Sequence, residues 1–125
     1  MSMKMEGKTM TLEKKENAVL VRGKEILITD GSSAMDLLAS VRYETGCSAM
    51  VLRKEQLVED FFRLSSGIAG EVLQKFTNYQ MRLAIVGDFS HYTSKPLRDF
   101  IYESNQGKQV GFWPTEEAAL EWLER

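Results

Sequence analysis

The residues that follow the apolar run 82–87 carry the groups best suited to catalysis. Asp88, Ser90 and His91 fall within four residues, and a carboxylate, a hydroxyl and an imidazole can serve as orienting acid, nucleophile and base. Folds usually bring such groups together from distant positions, and neighbours on one loop seldom reach the required geometry. The sequence also has no Gly-x-Ser-x-Gly nucleophile elbow. We therefore expect a capped loop with a solvated histidine.

A second candidate site precedes a predicted helix. Ser65, Ser66 and Gly67 are small residues, and free amides at a helix start can let a phosphate or carboxylate approach the backbone. The alternative is an N-cap serine followed by small residues where the helix packs closely on the sheet. The spacing matches neither a P-loop nor a dinucleotide-binding fingerprint. We favour the structural interpretation of this stretch.

The two stretches would form one ligand site if the helix start and the strand end lie close together. The candidate residues of that site are Ser65, Ser66, Gly67, Asp88, Ser90, His91 and Ser94. An enzymatic alternative is a small hydrolase or transferase with its site at the carboxyl end of the strand 82–87. In that alternative, Asp88 or Glu103 is the acid or base and His91 is the proton shuttle.

The element that must position these residues is a central strand over residues 82–87, Arg-Leu-Ala-Ile-Val-Gly. An unbroken apolar run needs cover on both faces, which helices on either side of a sheet provide. Ligands of such sheets usually meet the carboxyl ends of the strands. Residues 49–52 predict a second strand, parallel to the central one because a helix-length segment lies between strands.

The remaining elements complete an α/β fold. Residues 18–22 and 25–29 predict a hairpin with Gly23-Lys24 as a type II′ turn, and residues 110–113 predict a last strand. Apolar periodicity predicts helices that begin near Ala34, Ile68, Pro96 and Thr115, with a turn or short helix over residues 54–64. The prediction is a mixed sheet of about five or six strands with an N-terminal hairpin and about four helices. We expect one domain over residues 1–125, with residues 1–7 disordered.

Composition limits the possible partners. Sixteen basic and eighteen acidic residues give a net charge of −2, which does not predict a nucleic-acid-binding surface. One cysteine, Cys47, and one histidine cannot supply the four ligands of a usual zinc site. No apolar stretch is long enough for a signal peptide or a membrane span. We expect a cytoplasmic protein with no metal, no cofactor, and no nucleic-acid or membrane partner.

Several segments resemble, in order and spacing, a bacterial family catalogued as a domain of unknown function, family 4180. They are Phe61–Leu64, Gly67–Phe76, Asn78-Tyr79, Ile85–Ser90 and Asp99–Gly107. The resemblance covers nearly all of the chain after Ile26. It implies no particular reaction.

The order of strands and helices also resembles the STAS domain of anti-sigma-factor antagonists. Those antagonists are switched by phosphorylation of a serine at a helix start, in an Asp-Ser-Ser-Gly setting. This chain lacks that setting after its central strand, where Ser90 and Ser94 are the nearest equivalents. The resemblance implies a STAS-like fold of the kind that often serves protein partners.

These observations predict a non-enzymatic, cytosolic binding or regulatory module. The sequence has no metal-binding set, no cofactor fingerprint and no nucleophile–base spacing. Its ligand is expected to be a protein partner or a small anion. A further alternative is a homodimer that binds a small anion between its subunits.

Overall fold

A six-stranded mixed sheet forms the centre of the molecule. The structure, a computed structural model, describes residues 7–125 and the backbone of residues 2–5. The strands are β1 Ser2–Met5, β2 Lys8–Lys15, β3 Ala18–Arg22, β4 Ala49–Arg53, β5 Arg82–Val86 and β6 Val110–Trp113, and they lie side by side in chain order. The β1–β2 and β2–β3 pairs are antiparallel, and the β3–β4, β4–β5 and β5–β6 pairs are parallel. The predicted mixed sheet is confirmed.

Four α-helices cover the sheet, as predicted. They are α1 Gly31–Thr45, α2 Ile68–Asn78, α3 Lys95–Gln106 and α4 Glu116–Leu123. Three short 3-10 helices, Lys54–Gln56, Glu59–Phe62 and Leu64–Ser66, connect β4 to α2. The parallel strands need crossovers, and these helices supply them.

The central strand β5 is buried on both faces, which explains its continuous apolar sequence. Leu83 and Ile85 point into the larger core, which contains buried residues of α1 and α2. Ala84 points to the other face, where it packs in a smaller cluster with Ala119 and Trp122 of α4. A strand that helices cover on both sides exposes neither face to water, so apolar residues are favoured on both faces.

The N-terminal hairpin is present, but its predicted position was wrong. The observed hairpin pairs β2 with β3 and turns at Glu16-Asn17, where Glu16 has a φ of 57°. Residues 25–29 do not pair with β3. Instead Leu27 and Ile28 are buried, and their amides donate to the carbonyl oxygen of Gln56 at 2.7 and 3.1 Å. The apolar residues that suggested a strand are therefore core residues of a connecting segment.

The segment 1–7, predicted to be disordered, contains the edge strand β1 at Ser2–Met5. Its register pairs Met3 with Met10 and Met5 with Lys8. Met1 and Glu6 lie outside the described residues. The alternation of this segment is too short to identify a strand without its partner β2.

Helix α1 begins at Gly31, three residues before the predicted start at Ala34. Asp30 is the N-cap, its Oδ1 accepts from the Ser33 amide at 2.8 Å, and Ser33 Oγ in turn accepts from the Asp30 amide at 3.1 Å. These bonds form a reciprocal capping box. The bond from the Ser33 amide to the carboxylate is the largest cause that lowers the pKa of Asp30. Glu71 of α2 adds a bond from a distant element, because its Oε1 accepts from the Gly31 amide at 2.9 Å.

Helix α3 ends without the left-handed residue that Asn105 or Gly107 could have provided. Neither Asn105 nor Gly107 adopts a left-handed conformation, and Gly107 has a φ of −97°. The Asn105 side chain pairs with the edge strand β6: Nδ2 donates to the Phe112 carbonyl at 3.0 Å, and Oδ1 accepts from the Phe112 amide at 2.7 Å. Asn105 therefore occupies hydrogen-bonding groups that an edge strand would otherwise expose.

Gln56 is a fully buried polar residue between the ends of β3 and β4. Its Nε2 donates to the carbonyl oxygens of Val21 and Gly23 at 3.0 and 3.2 Å, and its Oε1 accepts from the Arg53 amide at 2.8 Å. The side chain thus satisfies three backbone groups that have little access to water. It joins the segment after β3 to the segment after β4.

Candidate functional site

A groove of about 540 Å³ lies where β4 and β5 end. One wall is the 3-10 segment that follows β4, and the other is the loop and first turn of α3 that follow β5. The lining residues are Glu59, Asp60, Phe62, Arg63, Leu64, Ser65, His91, Tyr92, Thr93, Ser94, Pro96 and Leu97. Parallel strands end at one edge of a sheet, which is why two segments distant in sequence meet here.

Tyr92 joins the two walls of the groove. Its ring stacks on Phe62 with the centroids 5.2 Å apart, and its hydroxyl donates to Glu59 Oε2 at 2.6 Å. His91 packs against the same ring at 4.2 Å, and the Lys54 ammonium lies 5.2 Å from its centroid. Burial raises the pKa of the Tyr92 phenol, and the bond to the Glu59 carboxylate adds to the effect. Tyr92 therefore holds the loop after β5 against the segment after β4.

The structure brings three of the predicted site residues to the groove: Ser65, His91 and Ser94. The Ser94 hydroxyl also accepts from the Leu97 amide at 3.4 Å, so this residue caps α3. Pro96 lies in the first turn, where its missing amide costs no hydrogen bond. The segment before α2 and the segment after β5 thus meet at the groove. Ser65 lines it on one side, and residues within 91–97 line it on the other.

Ser66 and Gly67 do not line the groove. Ser66 Oγ donates to the Asp60 carbonyl at 2.7 Å and accepts from the Ile68 amide at 3.2 Å. Gly67 has a φ of 80°, and nothing lies within 4 Å of where a Cβ would be. Glycine therefore suits this position, because it adopts a left-handed conformation without strain. The two hydrogen bonds of Ser66 hold the start of α2 in place.

Asp88 and Ser90 form a local turn beside the groove. The Asp88 Oδ1 accepts from the Ser90 hydroxyl at 2.6 Å and from the Ser90 amide at 2.9 Å. These two bonds, with smaller contributions from the charges of His91 and Lys54, lower the pKa of Asp88. Glu103 is exposed on α3 and does not line the groove.

The Asp88–Ser90 turn predicts a pH-dependent effect of Ser90→Ala. The variant should raise the pKa of Asp88 toward its ordinary value, because the hydroxyl donor is lost. A carboxylate whose pKa is lowered in the folded state stabilises the fold above its unfolded-state pKa, and that contribution is lost as pH falls through the folded-state pKa. Ser90→Ala should therefore destabilise the protein at neutral pH and have no effect in strong acid.

The measurement is an NMR titration of the Asp88 carboxyl carbon, together with thermal unfolding at several pH values. Ser40→Ala, on helix α1, is the control and should leave the Asp88 titration unchanged. An identical Asp88 titration in the wild type and in Ser90→Ala would show that the turn does not exist in solution.

Sequence reasoning missed the apolar part of the groove. Phe62 and Leu97 are buried, and Tyr92 is half-buried. The density of aromatic residues at 61–62 and 89–92 was the available signal. It gave no indication that the two aromatic pairs stack on each other, because that contact depends on the alignment of β4 with β5.

Neither the residues of the groove nor the rest of residues 7–125 bring three His, Cys, Asp or Glu side chains together as a metal site. None of the helices in this part of the chain is both long and apolar enough to cross a membrane.

The sheet order and helix layers define a STAS-like α/β protein. The fold is similar to the crystal structure of a candidate anti-sigma factor antagonist from Thermotoga maritima, with a TM-score of 0.51 and 15% identity, covering 93% of this chain and 95% of the other. A family model described as a domain of unknown function, DUF4180, matches residues 13–123. The chain belongs to that family. No curated protein matches the sequence.

Proposed function

We propose that this chain is a cytosolic regulatory module that binds a protein partner in the groove between residues 59–65 and 91–97. The observation that carries the proposal is the groove itself, which has an apolar floor and a rim of hydroxyl and charged groups at the carboxyl edge of the sheet. Sites of this volume that combine an apolar floor with a few polar groups are suited to binding.

The lining of the groove suggests the chemistry of the partner. Leu64, Tyr92 and Pro96 are not fully buried and provide an apolar surface, which one inserted apolar or aromatic side chain of a partner would bury. At the rim, Asp60 already pairs with Arg63 at 3.3 Å, and Glu59 already accepts from Tyr92. Within residues 7–125, the hydroxyls of Ser65 and Thr93 have no hydrogen-bond partner, so they suit hydrogen bonds to a partner backbone.

The comparison supports a protein partner over a substrate. The similar structure from Thermotoga maritima is described as a candidate anti-sigma factor antagonist, a class defined by binding another protein. In this chain the Asp88 carboxylate is occupied by Ser90, and the His91 ring packs on Tyr92. That arrangement favours a binding surface over the nucleophile, base and acid of the enzymatic alternative.

The test is capture of partners from the host cell by the wild-type chain and by two groove variants, Ser65→Arg and Thr93→Arg. Both positions are exposed, so a long charged side chain should fill the groove without disturbing the core. A true partner should be captured by the wild type and lost with both variants. Its affinity for the purified chain should then fall at least about tenfold in each variant, the equivalent of about 1.4 kcal/mol.

Thr77→Arg is the matched control, because Thr77 is exposed on α2 and does not line the groove. It should retain every partner that the wild type captures. Partners that survive both groove variants, or that are lost equally with Thr77→Arg, would contradict a groove-based interaction. Turnover of a substrate that disappears in His91→Ala would instead support the enzymatic alternative.

A further inference from the structure

The end of the sheet opposite the groove holds a second cavity, of about 530 Å³. It lies at the amino ends of the parallel strands, next to the β2–β3 turn and below the last turn of α4. The side chains that matter for its chemistry are Lys14, Lys15, Ser48 and Arg82, with Glu16 and Glu124 also in the lining. The cavity shares no residue with the groove, so an inference about it does not depend on the proposed function.

Arg82 places a desolvated positive charge in the wall of this cavity. Its Nε donates to the Lys108 carbonyl at 2.5 Å and its Nη1 to the Leu123 carbonyl at 2.7 Å. The guanidinium lies 4.9 Å from the centroid of the Trp122 ring, and Nη2 is buried with no hydrogen-bond acceptor among residues 7–125. Burial lowers the pKa of Arg82. The carbonyl end of α4 compensates part of the charge.

No carboxylate of residues 7–125 lies within ion-pair distance of Arg82. Lys14 likewise has no ion pair in the described part of the chain, whereas Lys15 lies 3.9 Å from Glu13. The Ser48 hydroxyl is exposed and has no hydrogen-bond partner among the same residues. Donors for an anion are therefore present and unused.

The two acidic residues of the lining limit the charge of a ligand. Glu16 and Glu124 are exposed, so water and salt screen their carboxylates more strongly than the desolvated Arg82. The net field in the cavity should attract an anion, but the carboxylates should disfavour a highly charged one. A guanidinium and an ammonium group are the usual partners of phosphate and carboxylate oxygens.

We propose that this cavity binds a small oxyanion, a phosphate or carboxylate group, through Lys14 and Ser48 with Arg82 as the charge in the wall. The test is isothermal titration calorimetry of the full chain with inorganic phosphate and, separately, with succinate, at constant ionic strength set with sodium chloride. Binding of one and not the other identifies the oxyanion class. In an amide NMR spectrum the indole signal of Trp122 should shift on binding, because its ring contacts Arg82.

Charge variants locate the binding. Lys14→Gln should weaken binding at least about tenfold, because the variant loses the charged ammonium donor that faces the anion. Glu16→Gln should tighten it, because a repelling carboxylate is removed. Lys24→Gln makes the same charge change at an exposed residue that does not line the cavity, and it should leave the affinity unchanged.

Two results would overturn the proposal. One is the absence of binding by both anions at millimolar concentration. The other is equal weakening by Lys14→Gln and Lys24→Gln, which would indicate general attraction to a charged surface. Because Arg82 also holds the end of α4, its own variants can lose stability, and the lysine and glutamate variants therefore carry the test.

Discussion

Replacing Trp122 with alanine is expected to lower the free energy of unfolding by about 4 kcal/mol, the usual cost of deleting a buried tryptophan. Trp122 is 2% exposed and lies at the centre of the smaller core, between α4 and the sheet. Its ring is 6.0 Å from that of Trp113, and its Nε1 donates to the Gly107 carbonyl at 3.2 Å. Since α4 has only eight residues, few other contacts can replace this one.

Gly111 shows how closely Trp122 approaches the sheet. A Cβ at Gly111 would lie 3.1 Å from two atoms of the Trp122 ring and 2.5 Å from the Trp113 Nε1. The lack of a side chain at Gly111 therefore makes room for both indole rings. In Trp122→Ala the volume of the Trp122 ring is left empty, and the sheet cannot move to fill it.

Denaturant unfolding of the wild type, Trp122→Ala and Trp122→Phe measures the effect. The phenylalanine variant keeps most of the apolar volume and should lose clearly less stability than the alanine variant. Tyr102→Ala is the control: Tyr102 is 68% exposed, and its loss should change stability by less than about 0.5 kcal/mol. A loss of less than about 1 kcal/mol in Trp122→Ala, well below the usual range for a buried aromatic residue, would mean that α4 does not dock as described.

Gln56→Leu is expected to destabilise the fold by about 3 kcal/mol, the cost of leaving two buried polar groups unpaired, although leucine has a similar size and is more apolar. The substitution leaves the carbonyl of Val21 and the amide of Arg53 without their side-chain partner. The Gly23 carbonyl keeps its bond from Arg53 Nη2. Each buried polar group left unpaired costs roughly 1–3 kcal/mol, which exceeds what an apolar side chain gains at a site already free of water.

The measurement is again the free energy of unfolding, with Gln74→Leu as the matched control. Gln74 is exposed on α2, so the same change of side chain removes no buried hydrogen bond there. Hydrogen exchange should also show faster opening of residues 21–28 in Gln56→Leu. Equal stability of Gln56→Leu and the wild type would show that water satisfies these backbone groups.

The sequence by itself determined the fold class and most of the elements. The unbroken apolar run at 82–87 required cover on two faces, and β5 has α1 and α2 on one side and α4 on the other. Ser94 and Pro96 determined the start of α3, because a hydroxyl cap and a fixed φ act within one turn. The start of α3 depends on residues that are neighbours in sequence. The burial of β5 follows directly from its apolar residues.

Only the tertiary structure decided which strands formed the hairpin. Residues 25–29 have the apolar character of a strand, but the buried Gln56 carbonyl accepts the amides of Leu27 and Ile28. Asn105 likewise pairs with Phe112 of β6 and does not end α3 in a left-handed turn. In both cases the competing partner lies outside the local sequence pattern, and that pattern contains no information about it.

Part of the groove could be predicted from the sequence, and part of it depends on the tertiary structure. Ser65, His91 and Ser94 were identifiable as polar residues near predicted element ends, and they line it. The contact that forms the groove, Tyr92 on Phe62, arises because parallel pairing of β4 with β5 brings the segments after both strands to one edge. The register of that pair places Arg53 beside Val86, and the sequence of either strand alone does not specify its partner.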